Sequence, residues 1–483
     1  SCMELGVDSL RGLSLISKLG ERGLTVSLKD IILSSNLHEL ALRIKEKVST
    51  GKKDRGTVSD FLPVTNEYHK FLINAERAGN DMLAMWISDS FIGRASYDSK
   101  SFKDRIELLV KRHPALSSRF SPSEEDGFIQ EFGKEFPHVS FFDVSGTNDE
   151  EIEAKVREYE MTFLKQLEEK EGKRECAFAC FKLDESRCAF HIKISHVISD
   201  GMSQQILISE LLADSLTDES DSYFEYRSWM RDEENKKKAM EFFKGYVEGA
   251  DFAYVKELVE GPPGMPPMPP MPDMDMAAPG IPPVPPMPAM PDMDGVPLMS
   301  FDNNIVKMVP MGKTKDLTGV TPFVFILYRY ANAVIKTFEK DRMLFYITSS
   351  GRNIPVDGMD KVVGDLSYRM SVVIEKGQSI DKFMEGVYEA ENHLCITPEE
   401  LWSQILDDGK EPVNFPILVS EVFPDYTGGK LLKSLSGRQL DPLGINAYFL
   451  EEDGEMFVRV SYNPLLKDET IYKKFINMLE SEA

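Results

Sequence analysis

A mixed α/β (α+β) fold is what the sequence predicts, and three patterns predict it. Alternating apolar runs read as strands: Phe190, Ile192, Ile194 and His196 share one parity, so a strand carries all four on one face. Helical spacing follows directly, with Leu207, Leu211 and Leu212 inside Gln204 to Leu216. Strand pairs with turn residues between them recur, at Cys176 to Leu183 with Arg187 to His196 across Asp184-Glu185-Ser186, and at Ile445 to Glu451 with Met456 to Tyr462 across Asp453-Gly454.

The elements follow in order. Asp8 or Ser9 can cap a helix with Leu13, Ile16 and Leu19 on one stripe, which Gly20 and Gly23 can end. Asn36-Leu37-His38-Glu39 reads as a capping box before the apolar face Leu37, Leu40, Ala41 and Ile44. Residues 48–61 are polar and aperiodic, which suits an interdomain linker. Phe102 to Val110 has helical spacing, and Glu151 to Lys173 reads as one charged amphipathic helix with a solvated face. Gly261 to Pro297 contains about fifteen of the chain's 28 prolines and repeats Met-Pro-Asp-Met-Asp at Met271 and Met290. So dense a proline run excludes helix and inner strand, and a polyproline-like or disordered surface insertion is expected over 261–297. Thr321-Pro322 opens a helix through Phe338, Met343 to Ser349 reads as a buried strand, Phe415 to Val422 as another, and Ile471, Phe475 and Leu479 mark a closing helix capped by Asp468.

Composition bounds the function. With 483 residues, 42% of them hydrophobic, the chain can bury a large core spread over two or three domains. A formal net charge of -24 argues against a nucleic-acid partner or an anionic membrane surface. No apolar run of about eighteen residues and no signal-peptide pattern occurs, so a cytoplasmic protein is expected. The five cysteines are odd in number and widely spread, so reduced thiols and no metal site are expected.

The stretch that carries chemistry is Ile194 to Ser203. Neutral imidazole at a strand end can hydrogen-bond or deprotonate an attacking amine or hydroxyl near pH 7, which suits acyl transfer. Asp200, four residues on, can hold the turn against a distant cation, and Gly201 leaves room for a substrate beside the backbone. A His-x-x-x-Asp-Gly string alone is equally met in ordinary structural turns. His113 reads as an orienting or core histidine.

Ser195-His196-Val197-Ile198-Ser199-Asp200-Gly201 resembles the His-His-x-x-x-Asp-Gly signature of nonribosomal peptide synthetase condensation domains, with Ser195 where the first histidine stands. The resemblance implies that His196 is catalytic and that Ser195, Asp200 and Gly201 shape the active site. Other segments resemble further family motifs in the family's order. They are Leu62 to Tyr68; Arg112 to Phe120, with Ser117 and Ser118 departing from arginine and threonine; Tyr223 to Trp229, with Glu225 for aspartate and Tyr226 for phenylalanine; Val362 to Ser367, followed by Tyr368 for asparagine; and Arg459 to Leu465. Gly351-Arg352 after a strand matches a family pair, and Arg352 is expected to reach Asp200 across two lobes; a surface arginine is the alternative. Leu5-Gly6-Val7-Asp8-Ser9-Leu10, with Gly23-Leu24 and Asn36 to Ala41, resembles the later part of a peptidyl or acyl carrier domain lacking its first helix. That likeness implies phosphopantetheine on Ser9; a plain serine N-cap is the alternative.

The resemblance implies two chloramphenicol-acetyltransferase-like lobes forming a V-shaped condensation domain. Its division would be a partial carrier domain at 1–47, the linker 48–61, an N-terminal lobe at 62–230, and a C-terminal lobe at 231–483 holding the insertion. It implies amide formation between a thioester on an upstream donor carrier and the amine on a downstream acceptor carrier, which also bears phosphopantetheine, with adenylation modules as partners. An ester-forming acyltransferase, an epimerase of the same fold, or a non-catalytic carrier-recruiting platform are the other readings that Ser195, Ser117 and Tyr368 leave open.

Overall fold

The strand Arg187–Ser195 buries Phe190, Ile192 and Ile194 completely, the face expected from its alternation. It pairs antiparallel with Trp86–Arg94 on one side and with Cys176–Lys182 on the other. His138–Asp143 adds a parallel strand beyond Cys176–Lys182. These make the N-terminal sheet of this computed structural model. The structure describes residues 9–20, 22–27, 30–31, 34, 36–46, 60–64, 66–77, 86–125, 127–252, 305–317, 320–405, 417–420, 430–431, 445–452, 455–462 and 469–482. The proline-rich stretch 261–297, the linker apart from its last two residues, the carrier-like residues before Ser9, Asp468 and Cys2 lie outside them.

A second sheet is built from the later half of the chain. Its order is Asp251–Phe252, Arg342–Ser349, Ile417–Ser420, Ile445–Glu452, Glu455–Tyr462 and Ile305–Lys313, with Tyr368–Glu375 paired to Arg342–Ser349. The helix Pro322–Phe338 packs on it, opened by Thr321, whose hydroxyl accepts the Val324 amide, with Pro322 where no amide donor is needed. The closing helix Glu469–Glu482 buries Tyr472, Phe475 and Leu479 beside it. One short strand crosses over: Lys430–Leu431 pairs antiparallel with Ile92 and Phe91 and extends the N-terminal sheet. A three-stranded sheet of Phe61–Pro63, Gly127–Glu131 and Arg119–Ser123 stands apart.

Two expectations are corrected. Glu151 to Lys173 is not one α-helix: Asp149–Glu158 passes into a π-helical segment, Tyr159–Leu164, before Lys165–Glu171. The wider turn lets Tyr159 and Leu164 enter the apolar cluster with Ile152 and Val156, while Met161 and Phe163 stay exposed. The helix after the His196 turn is Gly201–Leu212, starting earlier and ending sooner than Gln204 to Leu216. It starts earlier because Asp200 caps it, its carboxylate accepting the Ser203 amide at 2.8 Å.

At the other end of the chain, the helices Ser9–Gly20 and Leu37–Arg43 share a small core of Val26, Ile31 and Leu40. Asn36 caps the second helix by accepting the Glu39 amide at 2.9 Å. The first helix rests on the turn Met359–Lys361 of the main body, where Gly20 lies beside the Asp357 carboxylate.

One backbone position fixes how the C-terminal sheet meets the site. Gly351 has φ +66°, and a Cβ there would stand 1.8 Å from the Leu366 carbonyl oxygen. Gly351→Ala is therefore expected to lower the unfolding free energy by at least about 2 kcal/mol. Chemical denaturation checks this, and an unchanged midpoint would show that the close approach is not needed.

Candidate functional site

At Ser195 the strand ends. The Ser195 hydroxyl accepts the Val197 amide at 3.3 Å, and the chain makes a single 3-10 turn, His196–Ile198, before Asp200 starts the helix. His196 therefore sits one residue past the strand in a strand-to-helix turn, 7% exposed. Its Nδ1 lies 3.3 Å from Oδ2 of Asp365. The same carboxylate oxygen lies 2.8 Å from Nε2 of His69, on the helix Glu67–Arg77. Oδ1 of Asp365 accepts the Ser367 amide at 3.1 Å and also the Ser367 hydroxyl. Burial works against a charged ring at His196, but the Asp365 carboxylate outweighs it and pushes the imidazole up to about 9. Burial opposes the Asp365 charge too, yet the two imidazoles hold its carboxyl far below the usual carboxylate range.

Asp200 lies on the other side of the turn, where it meets Arg352. Nη1 of Arg352 donates to Oδ2 at 2.7 Å and Nη2 donates to Oδ1 at 3.0 Å, a bidentate pair between groups 152 residues apart in the chain. Arg352 is 1% exposed, which removes the surface-arginine alternative. Its guanidinium also donates to the carbonyls of Ser350 and Val362, both at 3.0 Å. Asp200 in turn accepts the Leu366 amide at 3.0 Å and the Ser203 hydroxyl at 2.8 Å. Ser195, the last residue of the strand, is buried, its amide donating to the Glu175 carbonyl at 2.8 Å. Gly201 is exposed, and a Cβ there would meet nothing within 4 Å, so the helix start is open at that point. Tyr368 stands opposite Ser349 in the strand pair below the site.

His113 is fully buried between two carboxylates, with Nδ1 2.7 Å from Asp221 and Nε2 2.9 Å from Glu210. Burial opposes its charge, but the two acids raise its pKa. Glu210 also takes a bidentate pair from Arg112, and Asp221 accepts the Val363 amide at 3.1 Å. His113 is thus an orienting histidine.

Sequence reasoning did not single out His69 or Asp365. Asp365 lies inside a quoted motif, and a carboxylate beside the Gly364 of a turn was the one signal available; the partners are 296 positions apart in the chain. Ser9 opens the first helix, and its side chain lies outside the described residues. Cys176, Cys180, Cys188 and Cys395 are free and buried. Among the described residues no group of three or more His, Cys, Asp or Glu is placed to hold a metal ion, and no helix is long and apolar enough to cross a membrane.

No protein-family model matches the chain. It is 25% identical over 213 residues to bacitracin synthase 3 of Bacillus licheniformis, covering 43% of this chain and 3% of that protein. It is 22% identical over 411 residues to D-lysergyl-peptide-synthetase subunit 1 of Claviceps purpurea, covering 76% of this chain and 11% of that one. The chain thus spans only a small part of the length of these relatives. Solved structures match along most of it. The condensation domain from Monacolin K polyketide synthase superposes with TM-score 0.56 at 10% identity, over 87% of this chain and 97% of that one. The fold is that of a condensation domain. The epimerization domain from the third module of tyrocidine synthetase B shares the same fold, with TM-score 0.54 at 13% identity, over 87% of this chain and 95% of that one. Since the condensation-domain fold serves both, the reaction has to be argued from the site.

Removing the charge from Asp200 leaves Arg352 buried and unpaired. Asp200→Asn is expected to cost about 3–5 kcal/mol, and Asp200→Asn with Arg352→Met appreciably less than the two single changes summed. Urea unfolding of the four proteins checks this; additive losses would mean the pair does not couple the two halves.

Proposed function

We propose that the chain is an amide-forming condensation domain of a nonribosomal peptide synthetase, with His196 as its catalytic residue. The observation that carries this reading is the placement of His196: a nearly dry imidazole in a strand-to-helix turn, charged by Asp365 and locked from behind by the Asp200–Arg352 pair. The donor would be an acyl or peptidyl thioester on an upstream carrier and the acceptor the α-amine of an aminoacyl thioester on a downstream carrier, loaded by adenylation modules. The sheets on either side of His196 would be the two chloramphenicol-acetyltransferase-like lobes of a V-shaped domain, 62–230 and 231–483, behind a partial carrier domain at 1–47 and the linker 48–61. Ser9, first residue of its helix, would be the phosphopantetheine attachment point in that partial domain. Four free buried thiols suit a reducing, cytoplasmic setting.

In this reading the neutral amine attacks the thioester carbonyl carbon. The C–N bond forms, negative charge moves to the carbonyl oxygen, and the nitrogen becomes cationic. An imidazolium is a donor and not a base, so His196 stabilises that oxyanion. As the C–S bond breaks, His196 gives its proton to the leaving thiolate and regains one from the new ammonium, leaving an amide and a free thiol. Two tethered arms supply proximity, so little beyond alignment and charge stabilisation is asked of the protein.

Reconstitution with a peptidyl donor carrier and an aminoacyl acceptor carrier, followed by intact mass, tests this. Transfer is expected with the wild type and a fall of about 100-fold or more with His196→Ala. An epimerised donor with no new amide, or transfer only to hydroxyl acceptors, would overturn it. The pH profile fixes the role of the ring: the rate should rise as the amine deprotonates near pH ~8, then decline as His196 loses its proton near pH 9. A rate still climbing past that point would assign His196 as a base.

A further inference from the structure

Among the described residues no lysine or arginine pairs with Asp365. Arg352, the nearest buried guanidinium, is committed to Asp200, Ser350, Val362 and Ser203. A carboxylate whose side chain is 3% exposed needs a counter-charge, and the groups within reach of Oδ2 are the rings of His196 and His69. These come from three separate places: the turn after Arg187–Ser195, the helix Glu67–Arg77, and the loop before Tyr368–Glu375. The charged and titratable groups facing this cluster are His69, Asp365, Asp200, Arg352 and the buried phenol of Tyr226.

We propose that Asp365 and His69 are positioning residues for His196: His69 hydrogen-bonds the carboxylate oxygen of Asp365 and through that bridge fixes the charge that faces Nδ1 of His196 at 3.3 Å. The inference rests on the catalytic reading of His196 for its functional consequence, but the bridge itself does not need it. With both rings neutral the cluster carries the single negative charge of Asp365, and a proton added to His196 neutralises it, so the buried carboxylate holds the His196 proton to a pH above its ordinary range. His69, with 17% of its side chain exposed against 9% for His196, is the member through which solvent protons reach the bridge. Neither partner touches the reacting atoms in this scheme; each sets where the ring points and what charge it bears.

The test is a nitrogen-15 histidine titration by NMR on the full chain, with signals assigned from His196→Ala and His69→Gln and folding checked by circular dichroism. In the wild type the His196 ring is expected to titrate near pH 9. Asp365→Asn should lower the His196 titration well below its wild-type position, since the largest charge opposing burial is then gone. Should Asp365→Asn not fold, His69→Gln decides: it removes the ring that holds the Asp365 carboxylate and should shift the His196 titration from its wild-type position. A wild-type His196 that titrates near its ordinary value, or one unmoved by either change, overturns the bridge whatever the enzyme's activity. In the transfer assay, Asp365→Asn should lower kcat at least about tenfold with KM for the acceptor carrier little changed. A KM effect without a kcat effect would mean that Asp365 shapes binding and does not position the ring. If amide transfer fails in the wild type while the raised, Asp365-dependent titration of His196 is present, the catalytic reading falls and the bridge stands.

Discussion

The bidentate pair between Arg352 and Asp200 is the constraint on which the site depends. A guanidinium excluded from water needs acceptors, and the two terminal nitrogens of Arg352 find them in the Asp200 carboxylate, two backbone carbonyls and the Ser203 hydroxyl, while its Nε has none among the described residues. Because Asp200 is also the cap of the helix Gly201–Leu212, the pair determines where the turn His196–Ile198 leaves its strand. The histidine's position is thus set by a contact made four residues downstream with the other half of the chain. Gly351, which precedes Arg352, allows the approach because no Cβ intrudes on Leu366.

What Arg352 does for the backbone, Asp365 does for the charge. A buried imidazole left to itself loses its proton more readily than in water, as His191 does in the middle of the same strand, where burial brings it down to about 3. His196 lies five residues further on and goes the opposite way, because a carboxylate faces it. One ring lies within the strand and the other one residue past its end, and only the second faces a carboxylate. His191 packs against Tyr159 and hydrogen-bonds Ser90, both neutral, and serves the core.

The alternation that exposed the central strand was legible, and so were the two hairpins and the approach of Arg352, because each is either local or carried by a family motif that spans both halves; the cap at Asp200 was not, and the sequence pattern starts that helix three residues late. The π-helical segment was not, since Tyr159 to Leu164 has ordinary helix-forming residues and the wider turn is a response to packing. His69 and Asp365 escaped for a different reason. His69 is marked by neither periodicity nor turn chemistry and Asp365 only by the glycine before it, and their meeting is a property of tertiary placement alone. Of the residues named in advance, Ser195 and Gly201 are positioned by the turn and touch neither Asp365 nor Arg352 in any hydrogen bond described above.

The segment Val363 to Leu366 shows why these contacts act together. The Val363 amide goes to Asp221, the Gly364 amide to the Ser203 hydroxyl, and the Leu366 amide to Asp200, while the Asp365 side chain takes both imidazoles. Gly364 has no room for a side chain, since a Cβ would lie 2.6 Å from the Tyr223 ring. Four consecutive residues from the later half of the chain are therefore spent on acceptors and donors from the earlier half. Each buried amide left without its partner would carry a desolvation cost, so the two halves can shift against one another only by breaking several bonds at once. A ring whose charge comes from one residue of this segment, and whose backbone is braced by its neighbour, keeps orientation and protonation coupled: whatever loosens the seam between the halves also changes the charge on His196.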